Sequence, residues 1–446
     1  MKGTGVNAVP EPGLRRGVGL LGVVMFGAGT AIGVSIFTVL QPTAEVAGSG
    51  LLIAVALAAL PMIFFAMAYS YLASADPVSG ASYEWPHRYV HPLVGFLVAW
   101  LRILTNVGAL TLLGTVLISY ASMAVPLPTR PTLALVFTLV FGLNYIGIAV
   151  AARAQTLMMI ALLLALGILV ATGLPEANLA LIGSPIGLGW AAIFFAVPLM
   201  ISLFLGIESA VEIGEEVRDP TRNIPRGIAL AVLLTAIVYL TVAFTALALV
   251  GPERLAASEA PLIDAAEVPL GRWGLPLILA AAVVSILKSL NAIVLTFSRA
   301  LFAMGRNGVL PHALARLHPR FGTPHVAVLT GYALAMAAIL LPSNLVFLLL
   351  AVNIPTMLKY LACCLAANNV ARRHPEVHAR AALRWSRTRV QTVARTGILL
   401  ALAIVLAGLG ADWRPYLLVL GWALLGLVYW LAYARHGSIV APVAGE

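Results

Sequence analysis

Charge is what this sequence has least of. Asp, Glu, Lys and Arg make up 10% of the 446 residues, 61% are hydrophobic, and the mean hydropathy is +1.00. A soluble domain carries about 25% charged residues, so a water-solvated globule is excluded and the chain is read as a bilayer protein. Lysine is scarcer still, since all but three of the 27 basic residues are arginine. The net charge of +10 is no nucleic-acid footprint. Most of the arginines fall in short segments between apolar runs, where they act as topogenic signals. Cysteine is nearly absent: Cys363 and Cys364 sit side by side within one apolar run. That arrangement suggests neither a disulfide framework nor a metal site and reads as two small buried hydrophobes. Also missing are the hydrolase patterns H-E-x-x-H, G-x-S-G and G-x-G-D, and a Walker lysine for an ATP-driven pump.

What the sequence has in abundance is long apolar runs. A helix crossing roughly 30 Å of hydrocarbon needs about 20 apolar residues. Such runs lie near 18–40, 48–73, 92–122, 131–151, 154–173, 188–212, 227–250, 273–304, 326–341, 344–367, 396–411 and 414–434. Twelve spans are therefore expected, with the boundary at Pro342–Ser343 dividing the ninth from the tenth. No polar segment between them is long enough to hide a soluble domain. The first run is followed by no small-residue cleavage site, so it reads as the first span and not a removable signal.

Numbering the runs in order sorts the basic residues onto two faces. One face collects 20 of them, including Arg153, Arg218, Arg222, Arg226, Arg299, Arg306 and seven arginines from Arg372 to Arg395. The other collects Arg130, Arg254, Arg272 and Arg414, which leaves Arg102, Lys288 and Lys359 inside the spans. The positive-inside rule then puts both termini in the cytoplasm, as short tails over 1–15 and 435–446.

Two spans are interrupted where interruption is least tolerated. The first contains MFGAGTAIGVSIF, Met25–Phe37, with three glycines at its centre. Each Gly weakens a helix by roughly 1 kcal/mol relative to Ala, and lipid cannot satisfy the backbone groups it frees. The sixth reads FFAVPLMISLFLGIESAVEIGEEV, with Pro198 and Gly206 bracketing its middle. One Gly-rich helix would be read as a close-packing surface. Two interrupted spans an odd number of crossings apart point instead to inverted repeats with a midplane binding site. Unwinding near Gly27–Gly33 is expected to offer N–H groups and a half-helix positive end to a carboxylate. Unwinding near Ser202–Gly206 is expected to offer carbonyls to an ammonium group.

These residues resemble a known family. GEEVRDPTRNIPRGI (Gly214–Ile228) resembles the acidic, Asn/Asp-Pro, Pro-Arg stretch after helix six of the amino acid–polyamine–organocation (APC) superfamily. SRALFAMGRNGVLPHAL (Ser298–Leu314) is similar to that family's loop after helix eight, and PVSGASYEW (Pro77–Trp85) to its second cytoplasmic loop. GAGTAIG, FLGIESA (Phe204–Ala210) and YLACCLAANNVARRHPE (Tyr360–Glu376) resemble its helix-one, helix-six and helix-ten motifs. The likeness runs in order over about 15–380. It implies an all-α, LeuT-type fold: one repeat of five helices in 16–173, an inverted repeat in 188–367, and two appended helices in 396–434. It implies transport of amino acids, polyamines or related amines by alternating access. Carried over by position, Ala28, Gly29 and Thr30 would meet a substrate carboxylate, and Ile32 and Gly33 would also belong to the substrate site. Ser202, Phe204, Gly206 and Glu208 would line the amine and side-chain end, with Phe204 as an aromatic lid. This chain has Ser202 where some antiporters of the family carry tryptophan, which argues against a stacked guanidinium.

Three basic residues, Arg102, Lys288 and Lys359, lie within the spans. Lys288 lies near mid-membrane in the eighth run, where an unpartnered lysine costs at least ~2.5–3.5 kcal/mol. A buried amine can trade a proton, which makes Lys288 a candidate coupling residue. The resemblance places a cation site between helices one and eight, near Lys288, Ser285 and Ser289. The alternative is a lysine locked in a structural hydrogen bond. Arg102 and Asn106 share a helical face at i, i+4 and are candidates for a gate, for substrate contact or, for Arg102, for snorkelling. Lys359 is a similar gate or cavity candidate. Glu208, just past the sixth-span break, either serves the site or steadies the restarted helix through its dipole. Glu215, Glu216 and Asp219 alternate with Arg218, Arg222 and Arg226 at the cytoplasmic mouth, which reads either as gate or loop ion pairs or as a solvated face.

The resulting reading is a secondary transporter in the cytoplasmic membrane, sodium-independent and proton-coupled. Its partners would be an amino acid, a proton and the lipid bilayer, with no cofactor and no nucleic acid. The alternative is an amino acid or polyamine exchanger, although a polyamine would want acidic residues in the cavity and only Glu208 qualifies. An intramembrane enzyme is disfavoured because the hydrolase patterns are missing, and a channel because it gives no reason for two inverted, broken helices and needs no coupling ion.

Overall fold

The computed structural model describes residues 17–33, 35–122, 125–340, 345–409 and 414–434. The expected tails and the Pro342–Ser343 boundary lie outside the described residues. Helices follow the apolar runs, because a backbone in hydrocarbon satisfies its own N–H and C=O groups only within a helix or a closed barrel. In chain order they are α1 (Leu20–Ala31), α2 (Ser35–Thr38), α3 (Leu40–Ala47), α4 (Leu51–Ala75), α5 (Ala81–Tyr89) and α6 (Pro92–Ser122). Next come α7 (Thr129–Ile146), α8 (Ile148–Gly173), α9 (Leu179–Ile182), α10 (Gly189–Ile201), α11 (Pro220–Ala257) and α12 (Pro261–Leu270). The last six are α13 (Gly274–Arg306), α14 (His325–Ala338), α15 (Leu345–Arg373), α16 (Pro375–Arg380), α17 (Arg387–Leu409) and α18 (Arg414–Tyr429). Among the described residues there is no strand, only two isolated bridges, Val18 with Val217 and Ser79 with Ile213.

Nine helical stretches among the described residues are long and apolar enough to cross a bilayer, where the sequence led to an expectation of twelve. The difference has a physical cause in two places. The 188–212 run is α-helical only over α10, 13 residues, before its backbone breaks. The 326–341 run gives α14, 14 residues, roughly 21 Å at 1.5 Å per residue and short of the hydrocarbon thickness. Residues 345–367 of the 344–367 run lie within α15. Around the perimeter, Leu135, Leu139, Phe195 and Leu425 are each at least 60% exposed, apolar surface that suits lipid and not water.

The broken helices sit at the centre. α1 packs against α8, α11, α13 and the 3-10 turn Ile207–Glu212, with Val23, Ala28 and Ile32 fully buried. α6 and α15 close the other side, while α17 and α18 pack outside α15. Cys363 and Cys364 are free and buried in α15, as two small hydrophobes should be.

Gly27 shows why glycine recurs in α1. A Cβ there would lie 2.9 Å from the Ile207 carbonyl oxygen and 3.2 Å from Ala231 Cβ. A backbone oxygen cannot swing aside as a side chain can. Gly27→Ala is therefore expected to lower the melting temperature in detergent, with overpacking of about 1–3 kcal/mol. Gly167→Ala in α8, where nothing lies within 4 Å, should melt no lower than the parent chain. Equal melting of the two variants would remove the close α1 contact from this account.

Candidate functional site

The first break falls later than the glycines suggest. α1 stays helical through Ala31, and the chain leaves it at Ile32 (φ −72°, ψ 78°). Gly27 and Gly29 thus belong to a packed helix, and the interruption begins at Ile32 and Gly33, ahead of α2. A helix ending at this depth exposes carbonyls that water cannot reach. Two side chains from neighbouring helices satisfy them. Lys288 of α13 donates through Nζ to the Gly29 oxygen and, at 2.6 Å, to the Ile32 oxygen. Tyr239 of α11 donates to the Ala31 oxygen at 2.6 Å.

The second break lies where the sequence put it. α10 gives way to a 3-10 turn at Ser202–Phe204, Leu205 is extended, and Gly206 has φ +99°. Only glycine adopts that backbone without strain, and a Cβ on Gly206 would sit 2.6 Å from Thr30 Cγ2. The two breaks therefore touch. The chain then restarts as 3-10 helix over Ile207–Glu212, a form with poorer hydrogen-bond geometry than the α-helix.

Three glutamates run down this restarted segment and the 3-10 turn Gly214–Glu216 that follows it, at intervals of four, and each meets a cation from a different helix. Glu208 accepts from Lys359 Nζ of α15 at 2.5 Å and from Tyr360 Oη at 2.6 Å. Glu212 pairs with Arg102 of α6. Glu216 pairs with Arg299 of α13 at 3.3 Å, both side chains no more than 2% exposed. Beside them Arg306 holds Glu215 at 3.3 Å. Glu215 and Glu216 are thus paired, but with arginines of α13 and not with Arg218, Arg222 or Arg226 as their alternation suggests. Backbone bonds pin the same segment, Gly17 and Val18 N–H to the Glu216 oxygen and Gly80 N–H to the Glu212 oxygen.

Between the breaks, α6, α13 and α15 lies a cavity of about 230 Å³. Of the residues singled out from sequence, Thr30, Gly33, Gly206, Glu208, Arg102, Asn106, Lys359 and Ser289 line it. Ala28, Gly29, Ile32, Phe204, Ser285 and Lys288 stand behind the wall, buried. Phe204 packs edge-on against Tyr239, with ring centroids 6.1 Å apart, so in this conformation it covers nothing. The Ser202 side chain lies outside the described residues.

Other lining groups escaped the sequence reading: Thr105, Ser209, Thr296, Asn353 and Thr356. So did Glu212, Tyr239, Tyr360 and a chain of buried amides behind Gly29. There Asn144 donates to Asn291 at 2.8 Å, and Asn291 donates to Gln155 at 3.1 Å. Their one advance signal is a polar side chain within an apolar run.

Removing one partner of a buried pair strands the other, at about 3–5 kcal/mol. Lys359→Met is accordingly expected to melt well below the parent protein in detergent. Lys359→Met combined with Glu208→Gln should recover the greater part of that loss. A double variant no more stable than the single one would mean that the two groups are not coupled.

Comparison with known proteins agrees with this architecture. The family model described as amino acid permease matches residues 18–432. An uncharacterized transporter of Mycobacterium tuberculosis is 34% identical over 326 residues, 73% of each chain. The branched-chain amino acid permease of Bacillus subtilis is 26% identical over 96% of this chain and 95% of its own. The methylthioribose transporter of the same organism is also 26% identical, over 96% and 95%. A polytopic helical chain with a cavity between two broken helices, matched along nearly its whole length, is a transporter and not an enzyme, and it belongs to the amino acid permease family of the APC superfamily.

Proposed function

We propose that this chain moves neutral amino acids across the cytoplasmic membrane by alternating access, without sodium and coupled to protons. The observation that carries the reading is the cavity where the two breaks meet, whose charged side chains are already paired with one another. Lys359 is held by Glu208 and Arg102 by Glu212, so the lining suits a ligand of zero net charge, as a zwitterionic amino acid is. Thr30 and Asn106, whose Nδ2 has no partner among the described residues, supply polar contacts for the α-groups. Leu112, Leu113, Ile293 and Val352 form an apolar wall for a side chain. The relative named for branched-chain amino acids supports this choice. The relative named for methylthioribose supports a neutral solute, so methylthioribose belongs in the substrate panel.

In the layout we propose, residues 16–173 and 188–367 are inverted sets of five spans, 396–434 adds two, and both termini are cytoplasmic. The two contacting breaks and the gathering of arginines at one face support it. Sodium independence rests on Lys288, whose ammonium takes up the Gly29 and Ile32 carbonyls that a metal ion would otherwise need. Bonded to two carbonyls and, among the described residues, to no carboxylate, Lys288 changes the local charge whenever it gains or loses a proton. A proton can bias alternating access only through a group that is charged differently in the two conformations.

Uptake of radiolabelled neutral amino acids into proteoliposomes should rise with an inward proton gradient and persist when sodium is replaced by choline. Loss of uptake in choline at constant pH would sink the sodium-independent reading. Gradient-insensitive counterflow would identify an exchanger, and uptake of methylthioribose alone would replace the amino acid as substrate.

Lys288→Ala is expected to flatten the pH dependence of uptake while substrate binding survives. Melting temperatures measured alongside separate a coupling role from a structural one. An unchanged pH profile in a well-folded variant would retire Lys288 as the coupling residue.

A further inference from the structure

A second concavity lies away from the central cavity, at the arginine-rich end of α4 and α11. Ile63, Ala66, Met67 and Ser70 recur on α4 at i, i+3, i+4 and i+7, which puts them on one helical face. They face Arg226, Ala229 and Val232 of α11, and together these residues line a groove of about 440 Å³. Its upper edge is Leu383 and Trp385 in the connection from α16 to α17, which is tied to the end of α4 by the Ala382 N–H on the Ser74 oxygen at 3.1 Å. Trp385 stacks on Tyr71 with ring centroids 6.4 Å apart, and the Arg389 guanidinium sits 4.7 Å from the Trp385 ring. The groove opens towards lipid, since Leu60, Ile63, Leu230 and Leu233 beside it are 40–56% exposed.

Chemically the groove has two ends. Its lower part is apolar and runs about 9 Å along α11 from Arg226 to Val232, at 1.5 Å per residue. Its rim carries two exposed arginines, Arg226 and Arg389, with no carboxylate among the lining residues. Neither makes an ion pair among the described residues, although Arg299, Arg306 and Arg102 in the same protein are all paired. Tryptophan and arginine together mark the level of the lipid headgroups, and basic pockets between membrane helices on the cytoplasmic side hold anionic headgroups. We propose that this groove binds one anionic phospholipid of the surrounding leaflet, its phosphate between Arg226 and Arg389 and one acyl chain along Ala66, Ala229 and Val232. The inference stands on the groove and its arginines and is independent of what the central cavity transports. Bound there, the lipid bridges α4, α11 and the α16–α17 connection.

The test uses the full chain, delipidated in a neutral detergent and offered equal amounts of phosphatidylglycerol and phosphatidylcholine with the same acyl chains. Native mass spectrometry should show preferential retention of one phosphatidylglycerol, and the melting temperature should rise saturably with that lipid. Arg226→Gln with Arg389→Gln should weaken the effect roughly thirtyfold, the loss of two basic contacts. Arg222→Gln, one turn away and outside the groove, should leave it intact. Ala229→Trp, at an exposed position, should block the acyl slot with both arginines in place. Equal retention of the two lipids, an undiminished effect in the double arginine variant, or an equal rise with inorganic phosphate alone would each overturn the proposal.

Discussion

Everything at the centre of this protein follows from one constraint: backbone groups released inside a bilayer have to be answered by other parts of the chain. Two helices end there, and the ends are closed by side chains carried from elsewhere. Lys288 and Tyr239 close the first. At the second, Tyr360 Oη accepts from the Gly206 N–H at 3.5 Å and donates to the Glu208 carboxylate. The tolerance for broken backbone is therefore paid in polar residues on α11, α13 and α15, which would otherwise be out of place in apolar helices.

The ladder of Glu208, Glu212 and Glu216 extends the same logic to charge. Buried ion pairs contribute little net stability, because desolvation offsets their attraction. They do fix which element faces which. Each rung ties the 3-10 segment to a different helix, so a segment with weak internal hydrogen bonding takes its position from its neighbours. A segment held by discrete pairs can exchange them, whereas a packed apolar interface resists small displacements. Exchangeable pairs of this kind suit the alternating access proposed for the chain.

Much of this was legible in advance. Paired Gly/Pro interruptions, scarce charge and the placement of arginines led to a polytopic helical protein with a central site, and Lys288 does lie between α1 and α13. Less legible was how the pieces meet. Arg102 and Glu212 are 110 positions apart, and nothing in local spacing pairs them. The glycines of α1 misled as to the position of its break, because Gly27 and Gly29 serve close packing and share a short stretch with the residues that unwind. The acidic run after Gly214 suggested partners in its own loop, yet α13 passes closer and supplies better-buried arginines. Phe204 carries no sign in its sequence that its ring turns inward to Tyr239.

The two cysteines offer a use that their burial creates. Both thiols lie inside α15, Cys363 facing the Ser82 carbonyl and Cys364 beside Gly397, out of reach of a water-borne maleimide. The native chain is in effect already cysteine-free to such a reagent. Probes for fluorescence or spin-label ranging can be attached at engineered thiols replacing exposed residues between the spans, such as Glu259 or Arg384, without first stripping the protein of its own. The motions of the central helices can then be followed in the unmodified core.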